Sequence, residues 1–330
     1  MRILLHIGVH KTGSTALQGF FAANRLRLLE HGILYPQAAR WPEDSVRYAH
    51  HRLPWSLLRP DRVADPWPAL RRELAHSAAE VAILSAERFE GLRRDDQLTK
   101  LGSLLADHEV TVIVYLRRQD EYLHGDYCTR IVHNGEDLDF EAYKARKTPN
   151  LDYRKLLERW ERRFGREALV VRPYERSQLA DADIVADFAA GAGIELPEGL
   201  RGTARVNRSY PKNVIDAFRR LWRLGIDPES IASCKRIAAW AYQGRRVDAD
   251  VMSPAERAEL LGGFEASNSF VAREYLGRED GVLFRDRGVG DQDAWDERYR
   301  SPDSYLTTTL RDLGRRLEEA RGARALPGSR

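Results

Sequence analysis

Three groups of residues in this chain are of the right types to do chemistry together. Lys11 lies within Gly8-Val9-His10-Lys11-Thr12-Gly13, and the hydroxyls of Ser14 and Thr15 follow directly. A lysine and paired hydroxyls where a helix begins make an anion site, because the first-turn amides and the helix dipole already favour negative charge. Arg117 and Arg118 end the apolar run 110–116, where a guanidinium fork could receive a phosphate bidentately. Glu87 ends the run 81–84, and His50 and His51 stand side by side; these are the carboxylate and imidazoles that could take a proton.

The elements needed to position these groups are legible as alternating patterns. Short, β-branched apolar runs at 3–7, 81–84, 110–116 and 168–171 read as strands of a parallel sheet covered on both faces. Between the first two, 14–31 predicts one helix with Leu17, Phe20, Phe21, Asn24 and Leu28 on a face and Gly32 as its stop. Further helices are expected over 92–106 and 153–164, the latter ending at Gly165. From Asp183 the pattern is mainly helical: 184–190, 213–224 and 254–276, the last starting on a Ser253 cap with Pro254 at its first position. Residues 41–68 have no clean period and read as a long loop with short helical pieces. The fold class is therefore α/β: an open, mainly parallel sheet flanked by helices, in three layers, with a helical C-terminal part. The expected organisation is one domain over 1–284 and a partly helical extension over 285–330.

Gly8 and Gly13 have the spacing of the outer glycines of a Walker A loop, but Lys11 lies inside the loop and Ser14 stands where the Walker lysine would. His6-Ile7-Gly8-Val9-His10-Lys11-Thr12-Gly13-Ser14-Thr15 resembles the 5′-phosphosulfate loop of sulfotransferases that use 3′-phosphoadenosine 5′-phosphosulfate (PAPS), in particular their bacterial carbohydrate-type branch, whose fold is P-loop-like. That resemblance implies that His10, Lys11, Gly13 and the amides of Thr12 to Thr15 hold the 5′-phosphate, with Lys11 neutralising the oxygen that bridges phosphate and sulfur. Arg117 matches the arginine of the family's 3′-phosphate segment, and Asp126-Tyr127 continue that pattern. Gly125 departs from it, standing where the family places a serine. Val171-Arg172-Pro173-Tyr174 resembles the strand end that brings a tyrosine, here Tyr174, near the adenine.

The same resemblance implies Glu87 as the base, its pKa raised towards neutrality by partial burial, with His51 and His50 as alternatives. Each group also has a plainer reading. The loop can be a strand-to-helix turn; Arg117 and Arg118 can pair with Asp120 or Glu121, and Glu87 with Arg88 or Arg93. The implied activity is sulfuryl transfer from PAPS to a hydroxyl of a carbohydrate or glycosylated small molecule, with no metal expected. Trp41, Trp55 and Trp67 could stack on such an acceptor, and Arg205, Arg208, Arg245 and Arg246 could contact an anion. A P-loop kinase or nucleotide hydrolase, and an inactive nucleotide-binding scaffold, are the competing readings.

Bulk composition narrows the classes. The 330 residues are 43% hydrophobic and 31% charged, with a net charge of +3, so no global nucleic-acid field exists and any basic site must be local. Cys128 and Cys234 are the two cysteines, which excludes a disulfide framework. No apolar run is long enough to span a bilayer or to form a signal sequence, so a cytoplasmic protein without membrane or nucleic-acid partners is expected, as a possible homodimer.

Overall fold

In the computed structural model, five strands form one parallel sheet: β1 (Arg2–His6), β2 (Ile33–Leu34), β3 (Val81–Ser85), β4 (Glu109–Leu116) and β5 (Leu169–Pro173), in the order β2-β3-β1-β4-β5. The structure describes residues 1–40, 48–200, 212–241, 251–286 and 288. Ile3, Leu4 and Leu5 are all fully buried, as are Ala82, Ile83 and Leu84. Consecutive buried residues on a strand mean that both faces of the sheet are covered. The edge strand β2 carries two residues and was not legible as a strand; it follows Gly32, whose carbonyl accepts from the amides of Glu80 and Val81.

The helices are α1 (Ser14–Ala23), α2 (Arg25–Glu30), α3 (Arg52–Leu58), α4 (Trp67–Ala75), α5 (Asp95–Leu104), α6 (Gln119–Asn134), α7 (Phe140–Lys147), α8 (Tyr153–Phe164), α9 (Ile184–Ala192), α10 (Lys212–Arg223), α11 (Pro228–Ala241), α12 (Pro254–Gly262) and α13 (Glu265–Leu276). On one face of the sheet, Leu17, Phe20 and Phe21 of α1 and Phe188 of α9 pack with Leu4, Ile83, Ile113 and Tyr115. The opposite face of β4 and β5 meets α8, which buries Leu157 and Trp160. Helices on both faces of a parallel sheet make this the three-layer α/β architecture expected from the alternation of runs.

Two helices expected to be continuous are broken. The stretch 14–31 is split at Asn24, whose backbone N–H and side-chain amide both donate to the Phe20 carbonyl, so the side chain competes with the helical ladder. The stretch 254–276 is split between α12 and α13 at Gly263 and Phe264. The helix expected over 92–106 is shorter, α5, because Gln97 folds back to accept from the amides of Arg93 and Arg94. Ser253 does cap α12 as expected: its hydroxyl accepts from the Glu256 amide while Glu256 accepts from the Ser253 amide.

The described residues group into two compact units. The first is drawn from Met1–Tyr122, Leu151–Arg205 and Phe264–Arg287, and holds the whole sheet. The second is drawn from Leu123–Asn150, Val206–Gly263 and Gly288–Arg330. Within it, the Trp222 indole donates to the Ile131 carbonyl, and the buried Asp126 receives Arg130, Lys147 and the Tyr143 hydroxyl. No helix among the described residues is long and apolar enough to cross a membrane.

Candidate active site

The C-terminal ends of four neighbouring strands carry the residues singled out above. Open α/β sheets bind ligands at this edge, where loops diverge and leave a crevice. The loop after β1 runs through three residues with positive φ: Gly8 at 102°, Lys11 at 68° and Gly13 at 76°. A Cβ on Gly8 would lie 3.0 Å from both the Cα and Cβ of Glu87, so only glycine lets this loop pass the end of β3. A Cβ on Gly13 would lie 3.0 Å from the Tyr174 hydroxyl, which ties the loop equally closely to the end of β5. Lys11 is not glycine, and its left-handed backbone costs on the order of 1 kcal/mol. Strain of that kind marks a residue whose position matters more than its comfort.

Gly13 is the N-cap of α1 and supplies no side-chain cap. Its carbonyl accepts from the amides of Ala16 and Leu17, so the turn is closed from below and the start of α1 keeps its dipole end uncapped. Thr12 is buried and its hydroxyl donates to the Val9 carbonyl at 2.6 Å, bracing the loop from inside. Ser14 is buried and Thr15 exposed. His10 faces Glu90: its amide and its Nε2 each lie 3.3 Å from that carboxylate, which also accepts from the Tyr122 hydroxyl.

Arg117 reaches the loop from the end of β4. Its Nη1 donates to the Lys11 carbonyl at 2.7 Å, its Nε pairs with Glu121 at 3.0 Å, and its guanidinium stands 5.9 Å from the centre of the Tyr174 ring. Arg117, Lys11, Gly13 and Tyr174 thus form one connected group. Arg118 does not join it: it is buried in a two-pronged pair with Asp120, itself fully buried, and donates to the Asp286 carbonyl. Gly125 is a helical residue of α6, in the second unit.

Glu87 opens a short 3-10 turn, Glu87–Gly91, directly after β3. Its Oε2 accepts from the Gln18 amide at 2.9 Å and lies 3.9 Å from His51 Nε2. The sequence reading required a raised pKa, and the structure corrects this. Burial alone pushes the carboxyl up, but the imidazoles of His51 and His10, the Gln18 amide and its own backbone N–H outweigh it and hold Glu87 down to about 2. Glu87 is therefore an ionised carboxylate at neutral pH and by itself a weak proton acceptor.

His50 is not available as a base. Its Nδ1 accepts from the Ser85 amide at 3.1 Å and its Nε2 lies 2.9 Å from the Pro36 carbonyl, so both ring nitrogens are engaged and Nε2 carries the proton. It is fully buried, and burial depresses its pKa to about 3. His51, the next residue, is the imidazole that faces Glu87. Trp67 is likewise a core residue, 3% exposed, with its indole N–H donating to Ser56. Trp55 remains partly exposed. Trp41, Arg205, Arg208, Arg245, Arg246 and, in the C-terminal extension, residues 287 and 289–330 lie outside the described residues.

Sequence reasoning missed a buried polar chain behind Glu87. The Gln18 amide donates to Ser85 Oγ at 3.2 Å as well as to Glu87. Ser85 Oγ lies 2.7 Å from His6 Nδ1. Ser85 Oγ therefore bridges Gln18 and His6, whose other ring nitrogen is Nε2. That nitrogen is buried without a hydrogen-bond partner, and the ring meets Tyr115 and Phe188 edge-on. Burial holds His6 neutral, its pKa depressed to about 4. The one signal in the sequence was a glutamine set among the apolar residues of α1.

No protein-family model matches this chain. An uncharacterized protein of Archaeoglobus fulgidus is 24% identical over 212 residues, which are 63% of this chain and 57% of that protein. The chain thus spans little more than half the length of that relative. A crystal structure of a sulfotransferase from Alicyclobacillus acidocaldarius aligns with 69% of this chain and 98% of its own at a TM-score of 0.41, with 16% sequence identity.

Proposed function

We propose that this chain transfers a sulfuryl group from PAPS to a hydroxyl of a carbohydrate or glycosylated small molecule. The observation that carries the proposal is one juxtaposition at the sheet edge. A lysine-bearing loop that opens onto an uncapped helix start lies against a histidine–carboxylate pair, with an arginine bonded to the loop from the other side. The residues suit the donor. The start of α1 and Lys11 would receive the 5′-phosphosulfate, Arg117 the 3′-phosphate, and the Tyr174 ring would flank the nucleotide.

In this reading the acceptor oxygen attacks sulfur, and the bond between sulfur and the 5′-phosphate oxygen breaks with its electron pair going to the phosphate. Lys11 stabilises the charge that develops on that leaving oxygen. The acceptor's proton goes to His51 Nε2, and the ionised Glu87 stabilises the imidazolium that forms. This division of labour rests on the position of His51 Nε2 beside the Glu87 carboxylate, an arrangement that suits an orienting counter-ion.

Isothermal titration with 3′-phosphoadenosine 5′-phosphate, adenosine monophosphate, and ATP with Mg²⁺ tests the donor class. Micromolar binding of the first alone is expected. Preference for ATP with magnesium would replace the sulfotransferase reading by a kinase or hydrolase, and silence with all three would favour an inactive scaffold.

A further inference from the structure

A second pair of side chains lies beside His51 and Glu87 in the same register. Trp55 is one helical turn after His51 on α3, its amide donating to the His51 carbonyl at 3.1 Å. Arg88 follows Glu87 on the 3-10 turn, and its guanidinium stands 5.1 Å from the centre of the Trp55 ring. The start of α3 therefore meets this turn twice, as its N-cap His51 against Glu87 and as Trp55 against Arg88. Trp55 and Arg88 are both partly exposed, whereas Leu53, Leu57 and Phe89 around them are buried. The two pairs line one seam that reaches the surface.

Arg88 is unusual among the arginines of this edge in having no carboxylate partner among the described residues. Arg94 pairs with Asp96, Arg117 with Glu121 and Arg118 with Asp120. Glu87 is adjacent in sequence but is occupied by Gln18 and His51. A guanidinium held over an indole ring keeps N–H donors that can receive a planar or tetrahedral oxyanion. Because His51 and Trp55 are one helical turn apart, about 5–6 Å between Cβ atoms, the two pairs are neighbours along this seam.

We propose that the acceptor is itself anionic, a hydroxyl compound bearing a carboxylate or a sulfate, and that Arg88 braced by Trp55 receives that group while His51 and Glu87 face the hydroxyl. The proposal rests on the sulfotransferase reading for the meaning of the hydroxyl, and names the acceptor class that reading leaves open. Uronic acids and sugars already sulfated both carry this chemistry, and matched probes separate them.

The test is calorimetric binding of methyl glucuronide against methyl glucoside, and of glucose 6-sulfate against glucose, with saturating 3′-phosphoadenosine 5′-phosphate. At least one charged probe is expected to bind about ten-fold or more tightly than its neutral counterpart, as for a charge-assisted hydrogen bond. Arg88→Met should bring that ratio to about one without changing the neutral probe, Arg88→Lys should keep part of it, and Trp55→Ala should reduce it. Arg94→Met, at an exposed arginine already paired with Asp96, should leave the ratio unchanged and controls for general charge. Equal affinities of charged and neutral probes in the wild type, undetectable binding of both included, would overturn the proposal, as would a ratio that survives Arg88→Met. If the nucleotide does not bind, the sulfotransferase reading falls, and the same probe pairs without nucleotide still decide whether Arg88 recognises an anion.

Discussion

Acidification addresses Glu87 directly. Its folded-state pKa lies near 2 against an ordinary value of 4.5, so its contribution to stability is fully present above about pH 5 and is lost as pH falls towards 2. A shift of that size corresponds to about 3 kcal/mol. Urea unfolding of wild type and Glu87→Gln should therefore differ most near neutral pH and converge on acidification; a gap independent of pH would show that the carboxylate is not held as described. Gln18→Met keeps side-chain volume and removes the donor to Glu87. It should lower turnover about ten-fold while leaving nucleotide affinity unchanged, and should add no further loss in a Glu87→Gln background, because both act through one carboxylate. Additive losses would separate the two residues. Lys11→Ala should reduce turnover far more than affinity for 3′-phosphoadenosine 5′-phosphate, since the proposed charge develops only as the bond to sulfur breaks. An equal loss of both would make Lys11 a binding residue only.

At the scale of elements, the loop after β1 is where backbone geometry and chemistry coincide. Gly13→Ala introduces a Cβ at positive φ and 3.0 Å from the Tyr174 hydroxyl, so it should destabilise the protein by more than about 1 kcal/mol and weaken nucleotide binding. Thermal unfolding and nucleotide titration check the two effects separately. In the second unit, Ser253→Ala removes one half of a reciprocal cap on α12 and should cost about 1 kcal/mol with no effect on nucleotide affinity. The short 3-10 turn Glu87–Gly91 carries three contacts of the site: Glu87 towards Gln18 and His51, Arg88 towards Trp55, and Glu90 towards His10.

At the scale of the molecule, the sheet of the first unit is locked to α9 by one buried carboxylate. Asp187 is fully buried and receives the Tyr115 hydroxyl from β4, the Arg172 guanidinium from β5 and the Ala180 amide. Asp187→Ala leaves a guanidinium and two donors unpaired and should destabilise by about 3–5 kcal/mol. Because β4 and β5 also deliver Arg117 and Tyr174, weakened nucleotide binding should accompany the loss, measured at a temperature where the variant is folded.

The sequence by itself determined the layer order of this protein, because continuous apolar runs alternating with amphipathic ones can bury themselves in few other ways. Strands 81–84 and 110–116, helix 153–164 and the cap at Ser253 are local signals, carried by residues near one another in the chain. So were Lys11, Arg117, Glu87 and Tyr174 as residues at strand ends, which parallel pairing then brings to one edge. What only the tertiary structure decided are the states of those groups. Whether Glu87 is raised or depressed depends on Gln18, His10 and His51, which lie far from it in the chain and approach it only in the folded sheet. The same holds for His50 and His51, chemically identical neighbours. One is spent on Ser85 and Pro36 in the core and the other faces a carboxylate, because adjacent side chains at the start of a helix point in different directions.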